Sequence, residues 1–324
     1  MAILLRHEEI VDLLDWPEVL AAVRTSFAEQ AAGQAQLPPR ITIDSASGHG
    51  WIRLMPAILN GAGIMGYKAM NVTPRVGGRY MVALYDLPSG ALLAHLDADW
   101  LTQRRTAATA ALGTDALAPR AVRQVGLLGS GEQARALLAA LAVVRAFERA
   151  RVFSPTAAHR ERFAAELTAE LGRPVEPVAS PAAAVAHCEV VAVAVRPTAE
   201  PVLRHEWLAP GTHVVAISAV RPEHRELDAA IWREASVLGV DDRQHVFESG
   251  DGRAALAAGV APERAVELWE LLAGRHPGRT SATQLTVFKS VGTGLQDLAL
   301  ARAIYERARP LGRGLDLGDW PHRR

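Results

Sequence analysis

Apolar residues recur at helical spacing through residues 8–32, at Ile10, Leu13 and Leu14, then at Val19, Leu20, Val23 and Phe27. Pro38-Pro39 closes that stretch, and shorter runs follow at Ile41–Ile43, Trp51–Leu54, Gly63–Met70 and Tyr80–Leu84. These read as strands, with Pro88-Ser89-Gly90 as a turn and Ala91–Leu96 as the returning hairpin strand. Asp99 is placed to cap a helix over Trp100–Leu117, which Pro119 stops. The first third thus predicts helices with a mainly antiparallel sheet.

From Val122 the period changes to strands alternating with helices. Strand candidates are Gln124–Leu128, Arg151–Phe153, Val190–Val195, His213–Ile217 and Val237–Val240. Helices lie between them, including Ala157–Leu171 and Pro181–His187. Alternation of this kind is the sequence form of a doubly wound parallel sheet. One long helix is expected from Thr283 to Ala308, followed by a turn-rich tail over 309–324.

The first strand of the alternating part breaks into Gly129-x-Gly131-x-x-Ala134 and runs on into a helix. Strand, glycine turn and helix in that order suit a dinucleotide pyrophosphate. Gly129 permits the turn, Gly131 lets the phosphates approach, and the helix start offers N–H groups and a positive dipole end. Glu132 and Gln133 lie on this turn and would contribute backbone N–H groups more than side chains. At the end of the second strand, where NAD-selective enzymes present an acid to the ribose, this chain has Phe153-Ser154-Pro155-Thr156, with Arg160 beyond. Ser154, Thr156 and Arg160 suit a 2′-phosphate, so NADP(H) is favoured over NAD(H). The alternative is an ordinary turn with Thr156 as a helix cap.

Composition narrows the class. The net charge is +0 and no basic block occurs, which argues against nucleic acid. No apolar run reaches membrane-span length, and the first 15 residues lack a signal-peptide core. The single cysteine, Cys188, excludes an internal disulfide, and its apolar neighbours suggest a buried thiol. None of the 11 histidines has metal-ligand spacing, so no metal site is expected. His213 reads as a core or edge residue, and His224 lies in a loop. A cytoplasmic enzyme is the expectation.

Charged residues in unusual places suggest a second site. Lys68 follows the apolar run Gly63–Tyr67. It is either a strand-edge lysine reaching water or an ammonium beside a reacting carbon. Arg40 follows two prolines, and Arg105 sits among small residues in the middle of a helix. Taken singly each is a surface arginine; together with Lys68 they would cage a carboxylate. Arg53, alternating with Trp51 and Met55, is a weaker candidate, and Arg104 is expected to be solvated.

Eight stretches, in order, resemble the ornithine cyclodeaminase / mu-crystallin family. They are Leu37–Arg40, Leu54–Ala57 with Gly66-Tyr67-Lys68, Leu101–Ala108, Gly129–Ala134, Arg221-Pro222 with Arg225–Asp228, Val240–Asp242, Gly278–Ser281 and Phe288–Gly292. The resemblance implies a homodimer, a Rossmann NAD(P)-binding domain over 119–294, and a discontinuous α+β domain over 1–118 with 295–324 that binds substrate and dimerises. It implies that Lys68 is the active-site lysine. Arg40 and Arg105 are carried over as substrate and cofactor contacts, with Thr106 beside Arg105. Ser290 and Val291 match positions facing nicotinamide and substrate. Residues 216–222 follow a strand and would lie near the nicotinamide, with Val220 a cofactor contact; deaminating cyclases of the family have an aspartate at that place, two residues before the proline matching Pro222, and valine cannot transfer a proton. Asp228 reads as a helix cap, and Asp241 and Asp242 as structural acceptors.

The expected activity is NAD(P)H-dependent reduction of a cyclic imine or ketimine carboxylate, or oxidation of the related amino acid. Two alternatives stand beside it. One is an ornithine cyclodeaminase-type ammonia-lyase with bound NAD. The other is a non-catalytic, crystallin-like binder of NADPH and a small ligand.

Overall fold

The computed structural model describes residues 2–318; residues 1 and 319–324, which the expected first domain includes, lie outside them. The chain forms two compact units. The first holds residues up to Arg105 together with those from Thr293 onward, and the second holds Thr106–Gly292. The division falls inside the helix Asp99–Leu117, 13 residues before its expected place at 118, and again just ahead of the last long helix.

The strands of the first unit are β1 (Ile3–Leu5), β2 (Ala35–Gln36), β3 (Ile41–Asp44), β4 (Trp51–Leu59), β5 (Ile64–Thr73), β6 (Gly77–Asp86) and β7 (Leu92–Asp97). Those of the second are β8 (Gln124–Leu128), β9 (Arg149–Phe153), β10 (Val175–Pro177), β11 (Val190–Val193), β12 (His213–Ala216), β13 (Val237–Val240), β14 (Ala265–Glu267) and β15 (Thr286–Lys289). A last short strand, β16 (Leu315–Asp316), returns to the first sheet.

The first sheet runs β16-β1-β7-β6-β5-β4-β2, with β3 also paired to β4. All its pairings are antiparallel except β1 with β7. Along β4 burial alternates strictly, so the sheet has a buried face carrying Arg53, Met55, Ala57 and Leu59 and a more open one. The helix Gly294–Ala308 packs on the buried face so closely that a Cβ at Gly294 would lie 2.5 Å from the Met55 carbonyl oxygen. The second sheet is wholly parallel, in the order β10-β9-β8-β11-β12-β15-β13-β14. Its central strands are buried throughout, as expected when helices cover both faces.

Several expectations need correction. The long helix begins at Gly294, and Thr286–Lys289 is strand β15. The run Thr-Val-Phe favours a strand, and Gly292, at φ +79°, breaks the chain before the helix starts. Residues 8–32 form two helices, His7–Ile10 and Trp16–Ala31. Asp15 starts the second by accepting the Glu18 N–H, with Pro17 in its first turn. Five short strands, β1, β2, β10, β14 and β16, lack enough alternation to be read from sequence. Thr156 stands at the N-cap of Ala157–Leu171, but its side chain makes no capping hydrogen bond. Arg104 is not merely solvated: its guanidinium lies 4.3 Å from the centre of the Trp16 ring and 5.2 Å from that of Trp100.

Candidate active site

In the first unit, register decides where Lys68 points. Met55, Lys68, Val82 and Leu96 stand opposite one another on β4, β5, β6 and β7, and all four are buried. The lysine therefore projects from the middle of the covered face and is 1% exposed, which excludes the strand-edge reading. Its Nζ lies 3.0 and 2.9 Å from the two carboxylate oxygens of Asp297, on the helix Gly294–Ala308. Arg105 Nε donates to the same carboxylate at 2.8 Å, and its Nη1 donates to Gln296 Oε1 at 3.2 Å. Arg53 is buried on the same face, donates from Nε to Thr42 Oγ1 at 2.8 Å and rests 5.2 Å from the Trp51 ring centre.

Two cations, Lys68 and Arg105, thus converge on one carboxylate, and the Arg53 charge is felt by the lysine. Burial pushes the Lys68 amine down to about 7, the Arg105 charge pushes the same way, and Asp297 pulls it up. An amine titrating near neutrality, held beside guanidinium groups, can bind a carboxylate and pass a proton. Arg40 is half-buried in the segment between β2 and β3. Asp297 was missed by sequence reasoning. Its signal was its place on the apolar stripe of the helix, in register with Ala301, Ile304 and Ala308; an acid there needs a buried cation.

In the second unit, the glycine-turn residues lie at the carboxyl end of β8, and Ser154, Thr156 and Arg160 follow β9; Thr106, Val220 and Ser290 lie on other elements. Gly129 adopts φ +118° and donates its N–H to the Phe153 carbonyl at 2.9 Å. A Cβ on Gly129 would lie 2.0 Å from the Ala194 carbonyl oxygen, so only glycine fits. Gly131 is the N-cap of the helix Glu132–Val144 and brings no side chain to its first turn. A Cβ on Gly131 would meet open space, and the buried Gln133 Oε1 has no hydrogen-bond partner. An open approach, an uncapped helix start and an orphaned polar atom fit a dinucleotide diphosphate. Ser130 Oγ donates to Ser154 Oγ at 2.8 Å, and Arg160 reaches back to the Ser154 carbonyl at 3.0 Å. Ser154, Thr156 and Arg160 thus stand around the end of β9 with no acid at that position.

Val220 follows β12 and packs against the apolar core of this unit, to which Val291 belongs. Ser290 is buried and donates to Asp241 Oδ2 at 2.7 Å; Asp241 also accepts the N–H groups of Val291 and Gly292. Thr106 is buried in the helix Asp99–Leu117. Asp228 caps Ala229–Glu234 and Asp242 caps Arg243–Glu248. His213 is a core residue held neutral, pushed down to about 3 chiefly by burial, with its Nδ1 2.9 Å from Thr286 Oγ1. Burial pushes the Cys188 thiol up to about 11.

A parallel doubly wound sheet with an open glycine turn, joined to a unit that buries a lysine and two arginines, defines the class: an α/β protein with a dinucleotide site. The chain belongs to the ornithine cyclodeaminase/mu-crystallin family, whose model matches residues 2–311. It is 32% identical to the ketimine reductase mu-crystallin of Mus musculus over 294 residues, 89% of this chain and 90% of that protein. The structure of Thermococcus litoralis delta(1)-pyrroline-2-carboxylate reductase in complex with NADH and L-proline superposes with TM-score 0.92 at 30% identity, covering 97% of this chain and 100% of that one. An archaeal alanine dehydrogenase dimer with bound NAD superposes with TM-score 0.90 at 29% identity, covering 97% and 98%.

Proposed function

We propose that this protein is an NAD(P)H-dependent oxidoreductase acting on C=N and CH–NH bonds of small amino-acid-derived substrates, with cyclic imine carboxylates as the preferred class. The observation that carries the reading is the Lys68–Asp297–Arg105 cluster. A buried carboxylate shared between an ammonium and a guanidinium is costly to build and gives a fold little that apolar packing would not. It gives a reaction both an anion site and a proton. The relatives that are ketimine and pyrroline-carboxylate reductases support the same chemistry.

When bound, the nicotinamide supplies hydride to the imine carbon, or accepts it in the reverse direction. The chain's own residues do the rest. Gly129 and Gly131 keep the turn open for the diphosphate, and the N–H groups at the start of Glu132–Val144 receive it. Arg105, Lys68 and Arg40 hold the substrate carboxylate, and Arg53 adds positive charge nearby. Lys68 gives a proton to the substrate nitrogen as that nitrogen becomes an amine, and regains it from solvent. Asp297 keeps the lysine aimed and raises its proton affinity.

Ser154, Thr156 and Arg160 make NADP(H) the favoured cofactor. Val220 offers no group for the proton transfers of deamination, so ornithine should not release ammonia. A screen of NADPH and NADH oxidation against pyrroline-, piperideine- and thiazoline-carboxylates tests the reading. At least one should be reduced, faster with NADPH. Arg160→Ala should narrow the NADPH preference by weakening NADPH binding alone. Ammonia release from ornithine, or no turnover with any imine carboxylate, overturns the assignment.

A further inference from the structure

A second buried ionic cluster sits in the parallel sheet, and the reaction above does not use it. Lys289, at the end of β15, is fully buried together with Glu226 and Asp251. Its Nζ pairs with Glu226 Oε1 and lies 3.2 Å from Asp251 Oδ2. Both carboxylates also hold loop backbone. Glu226 accepts the N–H of Ser218 at 3.0 Å and of Ala219 at 3.1 Å. Asp251 accepts the N–H of Glu226 at 2.9 Å and of Leu227 at 3.1 Å. Ser218 Oγ in turn accepts the Val195 N–H at 2.8 Å. Lys289, the last residue of β15, is thus linked through Glu226 to the segment that follows β12, and through Ser218 to the one that follows β11.

Stability alone does not account for this arrangement. Removing three charges from water is expensive, and apolar side chains of similar volume usually do as well or better. What an apolar core cannot do is accept N–H groups from irregular backbone. The Val195 and Ser218–Ala219 segments leave the carboxyl ends of β11 and β12, and doubly wound sheets bind their ligands outside those ends. Val220, the residue that distinguishes this chain from the deaminating cyclases, is next to the pinned Ala219.

We propose that Lys289, with Glu226 and Asp251, is a positioning cluster that fixes the Ser218–Val220 segment for the nicotinamide half of the dinucleotide. It touches neither substrate nor cofactor; it acts through the backbone it holds. The proposal rests on the cofactor reading above. If that reading is correct, loosening the cluster weakens cofactor binding while leaving the glycine turn intact.

The test uses two variants of the full chain. Lys289→Met with Glu226→Gln removes one pair of opposed charges, leaves Asp251 held by its two backbone N–H donors, and leaves a carboxamide oxygen to accept the Ser218 and Ala219 N–H groups. Ser218→Ala deletes only the link to Val195 and leaves the ions in place. NADPH affinity is read by fluorescence titration, and amide hydrogen exchange is read along the chain. The double variant should bind NADPH at least about tenfold more weakly, as expected when a supporting shell is loosened. Exchange should quicken at Ser218, Ala219 and Val220 and stay unchanged at Gly129–Gln133. Ser218→Ala should move both readouts the same way by less. A folded double variant with wild-type affinity and exchange overturns the proposal, as does uniform quickening across all strands. If the double variant does not fold, an unchanged affinity in Ser218→Ala overturns it. Wild-type protein that binds neither NADPH nor NADH removes the cofactor reading and this proposal together. Tight wild-type binding that ignores the variants removes the cluster's role alone.

Discussion

At the scale of single residues, the proposed reaction turns on the protonation of Lys68. Burial and Arg105 depress its affinity for a proton, and Asp297 partly restores it, leaving the amine near 7. The protonated form is the acid, so kcat/KM for imine reduction should be level at acid pH and fall as pH rises through about 7. Oxidation of the amine needs the neutral form and should rise over the same interval. Asp297→Asn deletes a cause that raises the lysine, so the falling limb should move to lower pH. A limb that stays in place in that variant would separate the lysine from the profile. Lys68→Ala should slow reduction by at least about a hundredfold, the usual scale for a positioned acid or charge stabiliser, while NADPH binding persists. Lys68 was singled out because a lysine in an apolar run is out of place, and the family resemblance chose between its two readings. Its partner was not, because 229 residues separate Lys68 from Asp297 and no local period joins them.

At the scale of elements, the glycine turn carried the clearest signal, since strand, turn and helix are contiguous and each step has a local cause. The two glycines have different duties, and substitution separates them. Gly129→Ala would drive a Cβ into the Ala194 carbonyl from a positive φ, so that variant should lose thermal stability. Gly131→Val meets no protein atom at its Cβ, so it should melt close to wild type and yet fail to bind NADPH in a fluorescence titration. Wild-type affinity in Gly131→Val would remove the diphosphate from this turn. Elements with weak local signals escaped the reading. Thr286–Lys289 was absorbed into a helix because its four residues adjoin a strongly helical run, and Lys289 went unnoticed with it. Glu226 and Asp251 carry no local mark at all: their burial is decided by loops meeting at strand ends. Val220 was informative by its chemistry, and the structure adds that it packs on the core of its own unit.

At the scale of the whole molecule, the first sheet leaves one face to be covered. Its inner face buries Arg53, Met55, Lys68 and Val82 beneath the helix Gly294–Ala308. The other face carries Ile41 at 52% exposure, Ile43 at 60%, Ile52 at 43% and Met81 at 38%. Register gathers them, with Ile43 opposite Ile52, Ile41 opposite Leu54, and Leu54 in line with Ala69 and Met81 across β5 and β6. Fully burying one such side chain is worth about 1.5–3 kcal/mol, so an apolar face of this breadth favours a partner surface over water. The partner we propose is a second copy of the chain. Two-fold assembly needs only one self-complementary patch, and it would also shelter the edge strand β3, which pairs with β4 alone. Light scattering at micromolar concentration should give twice the chain mass. Ile43→Glu with Ile52→Glu sets two carboxylates opposite each other on that face, where like charges repel and cannot be buried unpaired. Both positions are exposed within one chain, so the variant should keep its fold by circular dichroism and scatter as a monomer. A wild-type monomer, or a double variant that remains dimeric, would show that this face is not the interface.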